Sequence, residues 1–375
     1  MANYDLTAFR GLTFHDAVPA FLDGNDTPRD YLERCLEVIN VREPVVKAFA
    51  NLNEDNARKA ADASTKRYKD GRILSTIDGL PISIKDLLET KDMPTQMGCE
   101  AYIGNFPKND NAAVWALRQA GAVVFGKTVT AELGGTHPGS TTNPFDPERT
   151  PGGSSSGSAA AVAAGMVPAA IGTQVGGSII RPAAFCGNVA LKPTQGAINR
   201  GERQATSMST HGVHANCIED MWQSAIEIAK RAGGDRGYQG LYGPDEPPAP
   251  VKPERLIVLE SAGWAELDQS SRSAFEGLLE NLQQADVILL RRSDHVLVEA
   301  LEQKIAKAGE ICGAITRWEN RWAQQNLVAI KREFVSDRLK ANLKLAQEMS
   351  HDDYRSALIA RDIAQHCHNT VAHLA

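Results

Sequence analysis

Pro151-Gly-Gly-Ser-Ser-Ser-Gly-Ser-Ala-Ala-Ala-Val-Ala-Ala-Gly-Met-Val-Pro-Ala-Ala-Ile-Gly-Thr-Gln-Val-Gly-Gly-Ser178 joins three kinds of local structure. It opens on a flexible Gly-Gly-Ser and continues through a block of Ala and Ser from Ser155 to Ala164, bounded by Gly165. The block predicts a helix of small residues with Gly165 past its end. Small side chains let such a helix approach its neighbours closely, which suits a buried central position. Ala169–Thr173 then predicts a strand, and the stretch closes on a second Gly-Gly-Ser. Of 31 glycines, 11 fall between Gly134 and Gly187, so the chain concentrates its backbone freedom here.

The flanks extend the same alternation. Upstream, Thr27-Pro28 predicts an N-cap and first helical position for a helix to about Val41, and Glu54 to about Lys69 predicts a second. Leu80-Pro-Ile-Ser-Ile84 predicts a buried strand ending at Lys85, Ala112–Gln119 a helix and Ala122–Phe125 a strand. Thr136–Gly153 has no period and is expected to be a long functional loop. Downstream, Val189–Leu191 predicts a strand and Cys217–Ala232 a helix, followed by five prolines between Pro244 and Pro253. Strands at Leu256–Leu259 and Val287–Leu290 around a helix at Asp268–Gln284 form another βαβ unit, and helices follow from about Leu297. The pattern is that of an α/β sheet protein.

The 375 residues allow two domains or one large one. Composition is ordinary for a globular chain, and a net charge of −6 offers no footprint for nucleic acid. Six scattered cysteines without a CxxC pair are expected to be reduced thiols in a cytoplasmic protein. Met1–Asp16 lacks the apolar core of a leader, and no run of 18 apolar residues is present. Neither membrane nor nucleic acid is an expected partner.

Three superficial matches are set aside. Gly121-Ala-Val-Val-Phe-Gly-Lys-Thr128 fits the phosphate-loop pattern, but a helix precedes it and strand residues fill the supposed loop, the reverse of what that motif needs. Gly153-Ser-Ser-Ser-Gly157 fits the nucleophile-elbow pattern without the strand that must feed it; His211 and His214 read as polar core or surface rather than as its partners. His366 and His373 stand two turns apart on a helix while His368 faces away from His366, so a solvated tail is expected over a metal site.

What remains is chemical. In Thr173-Gln-Val-Gly-Gly-Ser178 two glycines before a serine let successive N–H groups turn into one concavity, a nest for a developing oxyanion, with Ser178 at its mouth as candidate nucleophile. A plain tight turn is the alternative. Gly152-Gly153-Ser154 offers a second hydroxyl able to relay a proton. Lys85, at the end of a buried strand, is a candidate neutral base, or else an ion-pair partner of Asp86 or Glu89.

These residues, with Gly79-Leu-Pro-Ile-Ser-Ile-Lys85-Asp86, Pro151–Ala161, Gly172–Gly187 and Leu191-Lys-Pro-Thr194 in order, resemble the amidase signature family, most specifically over about 79–196. The resemblance implies one α/β/α domain over residues 1–375 with a large twisted mixed sheet. It also implies a Ser–cisSer–Lys triad made of Ser178, Ser154 and Lys85. The backbone of Val175, Gly176 and Gly177 would form the oxyanion hole, with Gly153, Thr173, Gln174 and Arg181 around it. The expected reaction is hydrolysis of the C–N bond of a small linear or aryl amide through an acyl-enzyme, without metal or organic cofactor. Alternatives are an A-type subunit of an aminoacyl-tRNA amidotransferase, or a truncated non-catalytic scaffold. The small amide is the expected partner, with self-association as a homodimer left open.

Two departures stand out. Gln174 occupies a position often held by Asp, and Ile180 precedes Arg181 where many members have Arg directly. Arg181 is expected to pin the loop through backbone carbonyls rather than bind a substrate carboxylate. The chain ends near the close of a long helix, where a further core strand is usual, so either a shortened member or an incomplete sequence is expected.

Overall fold

Helix and strand alternate along the chain as predicted. The computed structural model describes residues 11–135, 137–202 and 206–375. Residues 1–10 of the stretch expected to carry no leader, and Thr136 at the head of the predicted loop, lie outside the described residues. The chain packs as two units: residues up to 247 with 322–342, and residues 248–321 with 343–375.

The first unit opens with α1 (Val18–Leu22), α2 (Pro28–Val46), β1 (Phe49–Leu52), α3 (Glu54–Lys69) and β2 (Pro81–Lys85). It continues through α4 (Ala112–Gln119), β3 (Val123–Thr128), α5 (Ser156–Ala163), β4 (Ala169–Gln174), α6 (Ile180–Cys186), β5 (Val189–Leu191), β6 (Thr210–Ala215) and α7 (Ile218–Ala232). Thr27 caps α2 by accepting from Asp30 N at 3.0 Å. The helix runs past the predicted Val41 with Pro44 in its last turns, ending where Lys47 turns left-handed. Three elements escaped the pattern. β1 is only four residues long, and β6 breaks alternation with Gly212 and two histidines although all six residues are buried. α6 holds Pro182, which sits harmlessly in its first turn.

The strands form one mixed sheet in the order β1-β3-β2-β4-β6-β5. β2 lies parallel to both β3 and β4, while β1, β6 and β5 join antiparallel. The three central parallel strands therefore end on the same edge, where open α/β sheets place their sites. Helix α5 is buried on every side. Its small residues permit that contact: Gly157 N donates to Val129 O at 2.9 Å, and a Cβ on Gly157 would run into Ala48 O. Gly121, with φ +91°, ends the turn from α4 into β3, so helix precedes it and strand follows, the reverse of a phosphate loop.

In the second unit, β7 (Arg255–Ile257) and β8 (Ile288–Leu290) pair in parallel around α8 (Gln269–Gln284). α9 (Val296–Ile305) packs against α12 (His351–Val371) through Val298, Leu301 and Val371. Between them in sequence run α10 (Ala308–Lys331) and α11 (Asp337–Glu348), each crossing from one unit's residues to the other's. No helix of the described residues is long and apolar enough to cross a membrane.

Candidate active site

Lys85 ends β2 with its side chain fully buried. Its amine lies 2.8 Å from Ser154 Oγ, 2.9 Å from Ser155 Oγ, 2.9 Å from Thr173 Oγ1 and 3.2 Å from the Thr173 carbonyl. The competing ion-pair reading fails for Asp86, whose carboxylate turns to Lys127 Nζ at 3.0 Å and to Gln96 N. Lys85 is therefore left among hydroxyls and a carbonyl. Burial without a compensating carboxylate pushes its amine well below the usual lysine range.

Ser154 precedes α5, and the Gly153–Ser154 peptide bond is cis. Only 1% of Ser154 is exposed. Ser155 was not singled out from the sequence, yet its hydroxyl joins the cluster: it donates to Thr173 O and accepts from Thr173 N, both at 3.2 Å. The Ser154-Ser-Ser156 run was the available signal.

Ser178 lies beyond the end of β4, with 8% exposed. Its loop meets the Ser154 segment through the backbone, Ser155 N donating to Ser178 O at 3.3 Å. Among the described residues the Ser178 hydroxyl has no hydrogen-bond partner, so the structure brings Lys85 to Ser154 but forms no bond from Ser154 to Ser178. Catalytic hydrogen bonds are often long before substrate binds.

The nest is held from behind. Gln174 Oε1 accepts from Ile179 N at 2.8 Å and Ile180 N at 3.0 Å, fixing the turn on which Ser178 sits and covering the start of α6. Arg181 N donates to Gly177 O at 2.8 Å, and Gly177 has φ +123°, which a side chain would resist. No bond ties the N–H groups of Gly176, Gly177 or Ser178 to other described residues. Arg181 donates from Nε at 3.1 Å and Nη2 at 2.7 Å to the carbonyl of Gly153, the arrangement expected of a loop-pinning arginine.

Two imidazoles lie behind this cluster on β6. Burial and the nearby Lys85 push His214 down to about 3, and burial chiefly lowers His211 to about 4. His214 Nε2 and Ser155 Oγ flank Gly172, where a Cβ would come within 2.9 and 3.0 Å of them. His366, His368 and His373 lie at the far end of the chain, and the described residues contain no cluster of three side chains fit to hold a metal.

One sheet edge thus gathers a buried lysine, the Ser154 hydroxyl bonded to it and the Gly-Gly-Ser turn that carries Ser178. The family model described as Amidase matches residues 30–368, and the chain belongs to the amidase signature family. The A-type subunit of glutamyl-tRNA(Gln) amidotransferase from Chloroflexus aurantiacus (strain ATCC 29366 / DSM 635 / J-10-fl) is 45% identical over 201 residues, 52% of this chain and 41% of that protein. Its counterpart from Rhodopirellula baltica is 43% identical over 220 residues, 56% of this chain and 44% of the relative. The chain thus spans less than half the length of these curated relatives. Among solved structures, one described as an amidase has a TM-score of 0.80 at 28% identity, covering 95% of this chain and 78% of that one. A bacterial aryl acylamidase of the amidase signature family shares the fold, with a TM-score of 0.79 at 20% identity over 96% of this chain and 78% of its own.

Proposed function

We propose that the chain hydrolyses the C–N bond of a small linear or aryl amide through a Ser178 acyl-enzyme. The observation that carries this is the Lys85 amine, buried without a carboxylate partner and 2.8 Å from Ser154 Oγ. Neutral Lys85 takes the Ser154 proton while Ser154 takes that of Ser178, and Ser178 Oγ bonds to the amide carbon. The resulting oxyanion is met by the N–H groups of the Val175–Ser178 nest. Lys85 and Ser154 return the proton to the leaving nitrogen as the C–N bond breaks, and water then cleaves the ester by the same relay.

A second reading is favoured by the curated relatives: the same site acting within an amidotransferase that transfers the released ammonia. Glutamine-dependent amidation, together with co-purification of a companion protein, would support it.

The test is a fluorophosphonate label mapped by mass spectrometry, with amide turnover by wild type and Ser178→Ala. Label on Ser178, and loss of turnover in the variant, are the expected results. Label on Ser155 instead, or undiminished turnover, would overturn the assignment.

A further inference from the structure

Glu132 is a buried carboxylate that the proposed reaction does not use. It accepts from Ser336 N at 2.9 Å and from the Ser336 hydroxyl, and Cys99 Sγ lies 3.7 Å away. No lysine or arginine pairs with it among the described residues. A buried carboxylate without a cation is costly to keep, so its donors must be held firmly. Ser336 is itself placed as a helix start: its Oγ accepts from Leu339 N at 3.1 Å in the first turn of α11. The carboxylate also lies where the free N–H groups of a helix favour negative charge.

The residues on either side of Glu132 reach the candidate active site. Ala131 N donates to Ser154 O at 3.1 Å. A Cβ placed on Gly134 would lie 3.8 Å from Ser154 Oγ. Between them Leu133 has φ +49° and Gly134 φ +72°, so two successive left-handed residues reverse the chain. Leucine resists that conformation, and surrounding contacts must impose it. Leu133 N donates to Met97 O at 2.8 Å, and its side chain packs on the cluster of Cys99, Ala101, Val335 and Leu339. Lys331 Nζ adds a bond to Ala101 O. One short loop therefore holds Ser154 on one side and residues 331–339 on the other, with Glu132 and Ser336 separated by 204 positions in sequence.

We propose that Glu132 is a positioning residue that clasps the 331–339 segment to the loop holding Ser154, so that this segment sets the placement of the relay serine. The kinetic half of this inference rests on the proposed amidase reaction; the structural half does not. The test compares full-length wild type, Glu132→Gln, Ser336→Ala and the double variant. Amide hydrogen exchange is read at Ala131, Ser155 and Leu339, beside the rate of fluorophosphonate labelling and the split between kcat and KM. Faster exchange at all three amides in Glu132→Gln is expected, with the labelling rate and kcat down about tenfold or more and KM little changed. The double variant should be no worse than Glu132→Gln alone. Exchange raised at Leu339 but unchanged at Ala131 and Ser155 would overturn the coupling, whatever the activity. Should Glu132→Gln fail to fold, Ser336→Ala gives the same reading with a smaller effect. If wild type is not labelled at Ser178, the amidase reading fails while the exchange pattern still decides the clasp.

Discussion

Lys85→Met separates the lysine's chemistry from its cost to the fold. The amine is wholly buried among four oxygens at 2.8–3.2 Å, and burial holds it well below the usual lysine range. An unfolded lysine titrates near ~10.4. Between the depressed folded value and that point, the unfolded chain binds one proton more than the folded chain. Wild-type stability therefore rises with pH across this window by ~1.4 kcal/mol per pH unit from Lys85 alone, and the gain is complete above ~10.4. Methionine binds no proton, so its variant lacks this slope. Lost hydrogen bonds to Ser154, Ser155 and Thr173 add a pH-independent cost of ~1 kcal/mol each, which sets the offset between the curves but not their divergence. Denaturant unfolding of both proteins from pH 8 to 10 reads the slope, and amide turnover should fall by ~10²–10⁴. Stability curves that run parallel over that range, or turnover within tenfold of wild type, would refute the neutral-base reasoning.

Gln174→Glu keeps an acceptor for Ile179 N and Ile180 N but adds an anion beside Thr173, which bonds Lys85. A nearby anion favours the ammonium, so the acidic limb of kcat/KM should move to higher pH while the melting temperature holds. An unmoved limb would count against the charge argument. His214 is buried, neither of its ring nitrogens has a partner among the described residues, and it is lowered from 6.5 to about 3. Because the unfolded imidazole takes up a proton that the folded one refuses, wild type loses ~1.4 kcal/mol per unit as pH falls from 6.5 towards 3. His214→Leu should therefore unfold at lower pH in an acid titration; an unchanged midpoint would contradict this. Gly157→Ala drives a Cβ into Ala48 O and to 2.5 Å from Val129 N, and should cost ~2–3 kcal/mol by denaturant unfolding, whereas a loss below ~1 kcal/mol would show that α5 can shift.

Much of the frame was legible because its signals are local. The block of small residues bounded by Gly165 marked α5, apolar runs marked β2 and β4, and Gly121 marked the turn into β3. β6 was missed because burial on both faces, not alternation, makes it a strand, and Gly212 with two histidines hides that. α6 was missed because Pro182 reads as a breaker until its place in the first turn is known. At the candidate site, Lys85, Ser154 and Ser178 could be proposed from their flanking glycines and strand, and the structure brings Lys85 to Ser154. Ser155 could not, because its hydroxyl matters only once Thr173 and Lys85 arrive beside it.

The sequence by itself determined the order of elements and the two Gly-Gly-Ser turns, and it offered the candidate lysine and serines, since each depends on neighbours within a few residues. The fold alone decided how Lys85 is used. Whether a strand-end lysine is an ion-pair partner or a free amine depends on where Asp86 finds its cation, and that cation, Lys127, comes from the next strand of the sheet. It likewise brought Glu132 to Ser336 and Gln174 to the turn after Ser178. Desolvation and pairing arise from packing between distant segments, and no local pattern encodes which segments those are.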